Sequence, residues 1–219
     1  MTDSPVWLIT GASRGIGAAI AREAHAHGCR VAIVARGEGA DTVAAELGEG
    51  AIAVRADVSN SSSASAAIEQ IIATFGRLDV VVNNAGVHRG GRVTRLSEAH
   101  WQEVLDVNLS GALNIIRAAT PHLGEGSSII NIGAVVGFRG FPGDVAYASS
   151  KAGLSGMTKA LSIELARKGI TVNLVVPGLV LTEMTSGLTE AAMDNMKQQI
   201  PIGRLGHERD IASVGYWVA

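Results

Sequence analysis

Cysteine, proline and aromatic side chains are scarce in this chain, which has one Cys, five Pro, three Phe, three Trp and two Tyr among 219 residues. A single thiol, Cys29, excludes an internal disulfide and suits a reducing compartment, and it is expected to be a small buried residue at a strand start. An excess of one charge sign is also missing. The 18 basic and 20 acidic residues leave a net charge of -2, so neither a nucleic acid nor an anionic membrane is an expected partner. No stretch nears the roughly 18 consecutive apolar residues that cross a bilayer. Asp3 and Pro5 stand where a secretory signal would carry a basic patch and an unbroken apolar run, so a soluble, cytoplasmic protein is expected.

What is abundant is small and apolar. With 47% hydrophobic residues and 27 glycines, the chain can bury one large core as a single domain over residues 1–219. Val6–Thr10 is a short apolar run ended by glycine, the pattern of a strand buried on both faces. Similar β-branched runs recur at Val31–Ala35, Ile52–Val54, Val80–Val82, Ile129–Ile132 and Val172–Val176, separated by alanine-rich helical stretches. Such alternation predicts an α/β fold with a doubly wound parallel sheet and helices on both faces.

The turn after the first strand reads Thr10-Gly11-Ala12-Ser13-Arg14-Gly15-Ile16-Gly17 and leads into a helix through about Ala26. Glycines there permit a tight turn and close backbone approach to a pyrophosphate, and the helix N-terminus offers free N–H donors, which together predict a dinucleotide site. The spacing is G-x-x-x-G-x-G. After the second strand, where an acid would hold the ribose 2′-hydroxyl of NAD, the chain has Ala35-Arg36-Gly37 and no acid before Glu38. Arg36 with Arg14 would instead pair with a 2′-phosphate, favouring NADPH over NADH. Asp57 and Val58, expected to end the third strand, would meet the adenine, unless Asp57 or Ser59 simply caps the following helix near Ser61–Phe75.

The fourth strand runs into Asn83-Asn84-Ala85-Gly86, where the amides would satisfy loop backbone and the small residues leave room for a ribose. Asn108 and Gly111 fall within a long predicted helix, about Glu98 to Pro121, and both are poor helix formers. The pair predicts a kink with a water or polar ligand. His88 has no neighbour at metal-ligand spacing, so a solvated loop histidine and no metal site are expected. In a helix over 145–168, Tyr147 and Lys151 lie one turn apart on one face. A tyrosine ordinarily titrates near about 10, and a neighbouring ammonium would bring it towards a working range for proton transfer.

Thr10-Gly11-x-x-x-Gly15-x-Gly17, Asn83-Asn84-Ala85-Gly86, Asn108, Tyr147-x-x-x-Lys151 and Pro177-Gly178 with Thr182 together resemble the short-chain dehydrogenases/reductases over nearly the whole chain. The run Ile170–Gly178 is most similar to the β-ketoacyl-(acyl-carrier-protein) reductase branch. The resemblance implies a Rossmann-like fold and an NADPH-dependent reduction of a ketone, such as a 3-oxoacyl thioester on acyl carrier protein or CoA. By it, Tyr147 would be the general acid, and Lys151 would lower its pKa and hold the nicotinamide ribose. Asn108 would keep a water in the proton relay. Val180 and Thr182 would hold the carboxamide, and Gly11, Ser13, Arg14, Gly15, Ile16, Gly17, Arg36, Asp57, Val58, Asn84 and Gly86 would line the rest of the cofactor.

One position departs. The family places a serine thirteen residues before the tyrosine to hold the substrate carbonyl, and here that position is Ala134, with no hydroxyl between Ile132 and Val136. Losing one such donor costs about a hundred- to a thousandfold in turnover, so impaired activity is expected while cofactor binding survives. An engineered Ser-to-Ala variant, a naturally weak reductase or one with another donor, and a non-catalytic NADPH-binding scaffold all meet this pattern. Intact Asn108, Tyr147 and Lys151 rank the first ahead.

Phe138, Phe141, Met184 and Met193 are expected either to wall the substrate end or to pack in the core. Arg139 and the Arg167-Lys168 pair would meet an acidic carrier protein or a phosphopantetheine arm, or, for the pair, stabilise a helix C-terminus. A helix is expected from Glu208 to Ala219, whereas the family continues into one more strand and a tail expected to lie beyond Ala219. A homotetramer or homodimer is implied, with Ala148, Ala152 and Gly156 as a small-residue helix face suited to close packing.

Overall fold

Six β-branched runs form six parallel strands: β1 (Val6–Thr10), β2 (Arg30–Ala35), β3 (Ala51–Arg55), β4 (Val80–Asn83), β5 (Ser128–Ile132) and β6 (Thr171–Val175). The structure, a computed structural model, describes residues 4–181, 193, 194, 197, 198 and 200–219. Strand order is β3-β2-β1-β4-β5-β6, so the winding reverses between β1 and β4 and opens a crevice at their carboxyl ends. The third strand stops at Arg55, short of the expected Val58, because Ala56 is the last residue whose N–H reaches β2.

Alternation along each strand sends side chains to both faces. Val6, Leu8, Ala32, Val34, Val81 and Ile129 join one core, and Trp7, Ile9, Val31, Ile33, Val80, Val82 and Ile130 the other. The second core is covered by α1 (Gly15–Ala26) and α2 (Gly39–Leu47), through Ile20, Ala21, Ala40 and Val43. α3 (Ser61–Phe75) covers the first through Ile68 and Ile71. Asn60 caps α3 by accepting the Ser63 N–H at 2.9 Å, so neither Asp57 nor Ser59 is the cap. Cys29 is buried just before β2, as its sequence setting suggests.

The long helix expected over Glu98 to Pro121 is divided. α4 (Glu98–Leu105) and α5 (Gly111–Ala119) are joined by a π-helical turn, Asp106–Ser110, and a 3-10 turn, Thr120–His122, follows. A Cβ on Gly111 would lie 2.7 Å from Val58 Cγ2, so only glycine lets the start of α5 approach the loop after β3 this closely. α6 (Val136–Arg139) is short, and α7 (Val145–Leu165) runs on into a 3-10 turn at Ala166–Lys168. α8 (Glu208–Trp217) packs beside α1, with Tyr216 stacked on Trp7 at 5.8 Å. No helix among the described residues is long and apolar enough to cross a membrane.

Candidate active site

The turn after β1 is locked to the turn after β4. Thr10 Oγ1 accepts the Asn84 and Ala85 N–H groups at 3.0 Å each, and the Asn84 amide donates to the Thr10 and Gly11 carbonyls at 2.9 and 3.2 Å. Asn84 thus satisfies loop backbone, as expected, but that of the β1 turn. Gly11 has φ +65, and a Cβ there would lie 2.7 Å from Ala85 Cα. Gly17 is packed just as closely, its Cβ position lying 2.7 Å from the Gly11 carbonyl oxygen. Gly15, with φ +61, faces open space apart from Glu208 Oε1 at 3.7 Å.

These features fit a dinucleotide. α1 begins with no side-chain cap and no acid in its first turn, leaving its N–H donors and positive end directed at the crevice. Ser13, Gly15 and Ile16 line that turn half-buried, and Arg14 and Arg36 are exposed at the carboxyl ends of β1 and β2. Val58 is buried against Gly111, and its carbonyl accepts from Asn114 at 3.0 Å. Asp57 spends one carboxylate oxygen on Ser59, at 3.0 Å to the N–H and 2.7 Å to the hydroxyl. Val180 is buried and bridges in parallel to Gly206. Thr182 and Met184 lie outside the described residues.

The chemistry-bearing residues gather at the carboxyl end of β5 and the first turns of α7. Lys151 is buried, and its ammonium donates to the Ile132 carbonyl at 2.7 Å. Burial pushes it down to about 8 from an ordinary 10.5. The ammonium lies 5.6 Å from the centre of the Tyr147 ring. Tyr147 itself is pushed up to about 12, first by burial and then by the negative charge of Asp144. In this geometry the expected lowering of the phenol by Lys151 is absent, because the ammonium is engaged with a backbone carbonyl while desolvation dominates.

Asn108 sits buried in the π turn. Its Oδ1 accepts the Val87 N–H at 2.8 Å, and its amide donates to the Val87 carbonyl at 3.0 Å and the Ser150 hydroxyl at 3.1 Å. Ser150 passes the link on to the Tyr147 carbonyl at 2.7 Å. The side chain is therefore committed to fixing the β4 loop and α7 to one another. Gly86 stands against it, the Cβ position lying 3.4 Å from Asn108 Oδ1. Ala134 is half-buried just past β5, its carbonyl accepting the Gly137 N–H at 3.0 Å.

Two residues were not expected here. His88 is not a freely solvated histidine: its Nε2–H donates to Asp144 Oδ1 at 2.8 Å, and its ring meets Tyr147 edge-on at 5.2 Å and 84°. That carboxylate raises the imidazole above its ordinary value, the hydrogen bond being the larger cause. Asp144, three residues before Tyr147, carried a sequence signal as a helix-start acid; His88, 59 residues before it, carried none. Phe138 and Phe141 are 57% and 54% exposed, so they do not pack in the core. Met193 lines a cavity of about 460 Å³ with Leu181, Leu205 and His207.

The comparisons agree with this architecture. The family described as enoyl-(acyl carrier protein) reductase matches residues 11–219. The chain is 41% identical to the 3-oxoacyl-[acyl-carrier-protein] reductase of Staphylococcus aureus, covering 97% of this chain and 89% of the relative. The protein of that name from Salmonella typhimurium is 38% identical, with 99% and 90% covered. A short-chain dehydrogenase from Burkholderia cenocepacia solved in complex with NADP superposes with a TM-score of 0.92 at 36% identity, over 98% of this chain and 89% of that one. A 3-ketoacyl-(acyl-carrier-protein) reductase from Brucella melitensis complexed with NADH gives 0.91 at 32%, over 97% and 89%. With the glycine turn, the switch-point crevice and the Tyr147–Lys151 pair all in place, the chain belongs to the short-chain dehydrogenase/reductase family.

Proposed function

We propose that this chain is an NADPH-dependent reductase of ketones, acting on 3-oxoacyl thioesters carried by acyl carrier protein or CoA. The observation that carries it is the placement of Tyr147 and Lys151 on one face of α7, beside the end of β5 and next to the β1–β4 crevice. When bound, NADPH supplies a hydride. Tyr147 donates the phenol proton to the carbonyl oxygen, giving the 3-hydroxy product and leaving a phenolate. A shift of the Lys151 ammonium from the Ile132 carbonyl toward the phenol would stabilise that phenolate, and the same ammonium would hold the nicotinamide ribose.

Gly11, Ser13, Gly15, Ile16 and Gly17 are assigned the pyrophosphate, with Arg14 and Arg36 at a 2′-phosphate. Asp57 and Val58 are placed at the adenine, Asn84 and Gly86 at the ribose, and Val180 and Thr182 at the carboxamide. Asn108 is assigned to keeping a water in the proton relay that runs from Lys151. The names of the relatives support the substrate class, and the NADP complex of the Burkholderia protein supports the cofactor. Exposed Arg139 would face an acidic carrier protein. Ala152, Gly156 and Ile163, exposed along α7, would bury against a second copy in a homodimer or homotetramer.

Cofactor fluorescence and NADPH consumption with a short 3-ketoacyl thioester test this reading. Binding of NADPH over NADH that Arg36→Ala weakens by about tenfold or more, with thioester-dependent consumption, is the expected result. NADPH binding without turnover of any ketone would make the chain a cofactor-binding scaffold, and no binding at all would overturn the assignment of Arg14 and Arg36.

A further inference from the structure

His88 and Asp144 form a titratable pair that the proton transfer described above does not use. Asp144 is the residue preceding the first turn of α7, where an aspartate ordinarily accepts a helix N–H. It makes no such bond, and its carboxylate turns instead to His88 Nε2 at 2.8 Å. His88 is held in place from several sides. A Cβ on Gly90 would lie 3.1 Å from His88 Cε1, so only glycine leaves the ring its usual clearance. The Gly91 N–H donates to the Gly143 carbonyl at 2.8 Å, tying the histidine loop to the aspartate loop. Arg89 grips Glu103 of α4 through two bonds of 2.8 and 2.7 Å. The result is an imidazole fixed edge-on against the phenol ring.

We propose that the His88–Asp144 pair is a charge switch that positions Tyr147 and sets how readily it gives up its proton. This rests on Tyr147 being the proton donor. When the phenol O–H breaks and the proton passes to the carbonyl oxygen, a negative charge is left beside the Asp144 carboxylate. A protonated His88 neutralises that carboxylate and eases the transfer; a neutral His88 leaves it opposed. The charged groups around the pair are Asp144 just before α7 and Tyr147 in its first turn, Arg89 in the same loop as His88 with its partner Glu103 on α4, and Lys151 beside the Tyr147 ring. Asp144 raises His88 while burial and, less, Arg89 lower it, with a net upward shift, so the switch turns off as pH rises above the ordinary histidine range.

The test is 13Cζ-tyrosine NMR of the whole chain and of His88→Gln and Asp144→Asn, with Tyr216→Phe used to assign the Tyr147 signal, since the chain has two tyrosines. Expected is an inflection of the Tyr147 signal at the His88 titration, lost in His88→Gln. In Asp144→Asn the phenol should ionise at lower pH. With NADPH and a short 3-ketoacyl thioester, the parent's kcat should fall on the alkaline side. His88→Gln should lack that limb and run about tenfold slower below it. A Tyr147 titration unchanged in both folded variants would overturn the proposal whatever the turnover. An alkaline limb that survives in His88→Gln would overturn the catalytic role. A parent that reduces no ketone would instead overturn the functional reading, while the NMR titration still decides the coupling.

Discussion

Gly17 and Asn84 meet where α1 leaves the first turn: the Asn84 amide, donating to Thr10 and Gly11, occupies the space that a Cβ on Gly17 would need. Gly17→Ala must push that amide out or shift the Gly11 carbonyl, which lies 2.7 Å from the Cβ position. An overpacked contact of this kind costs about 1–3 kcal/mol. It should also disturb the pyrophosphate cradle, so urea unfolding and NADPH fluorescence should both report a loss. Gly15→Ala gives the contrast, since its nearest neighbour is Glu208 Oε1 at 3.7 Å. Only the left-handed backbone is penalised there, by about 1–2 kcal/mol. A Gly17→Ala protein as stable as the parent would show that the Asn84 clamp yields freely.

Val58 and Gly111 make a second steric pair, between the loop after β3 and the start of α5. Gly111→Ala is expected to lower stability by about 1–3 kcal/mol even though alanine is the better helix former. If the Val58 methyl is the cause, the penalty should shrink in a Val58→Ala background. A double-mutant cycle in urea measures it, and an additive cycle would reject steric coupling in favour of a backbone requirement of the π turn.

The sheet was legible in the sequence because each strand is a short β-branched run buried on both faces, and the runs needed only right-handed crossovers to become a fold. Gly11, Gly15 and Gly17 were legible for a similar reason, since a glycine cluster after a strand has few other uses. The division of the Glu98 to Pro121 helix was foreshadowed by Asn108 and Gly111, but the neighbour that leaves no room for a Cβ at position 111 was not: Val58 lies 53 residues away in the chain. The commitment of the Asn108 side chain to Val87 and Ser150 was equally hidden, because a lone asparagine in a helical pattern does not disclose its partners. His88 was misjudged on the same ground. Its partner Asp144 is 56 residues distant, and the edge contact with Tyr147 arises only once the β4 loop folds over α7. Local patterns disclose elements and turns; long-range pairing of polar side chains emerges from packing.

Lys151 and Tyr147 impose opposite pH trends on stability. Lys151 falls from 10.5 to about 8 on folding, so between those values the unfolded chain binds a proton that the folded chain lacks, and stability rises with pH. Tyr147 rises from 10.0 to about 12, so over that interval the folded chain keeps a proton that the unfolded chain has released, and stability falls. Relative to Lys151→Met, the parent should gain stability between the two Lys151 values in urea titrations. Relative to Tyr147→Phe, it should lose stability over the higher window. A parent whose profile parallels both variants would show that neither group titrates differently on folding.

Ala134 presents a methyl group at the family's serine position, just past the strand whose last carbonyl holds Lys151. Its carbonyl is tied to Gly137, so the backbone has a reason for its path that is independent of the side chain, and a hydroxyl could be added without rebuilding the loop. Ala134→Ser is therefore expected to leave NADPH affinity and unfolding unchanged. If a carbonyl oxygen is to be held there as charge develops on it, kcat with a short 3-ketoacyl thioester should rise by about a hundredfold or more. A gain in kcat with little change in KM would mark the hydroxyl as acting on the transition state, whereas a drop in KM alone would mark simple binding. A parent that already turns over rapidly and gains nothing from serine would show that this chain stabilises the oxyanion with another group.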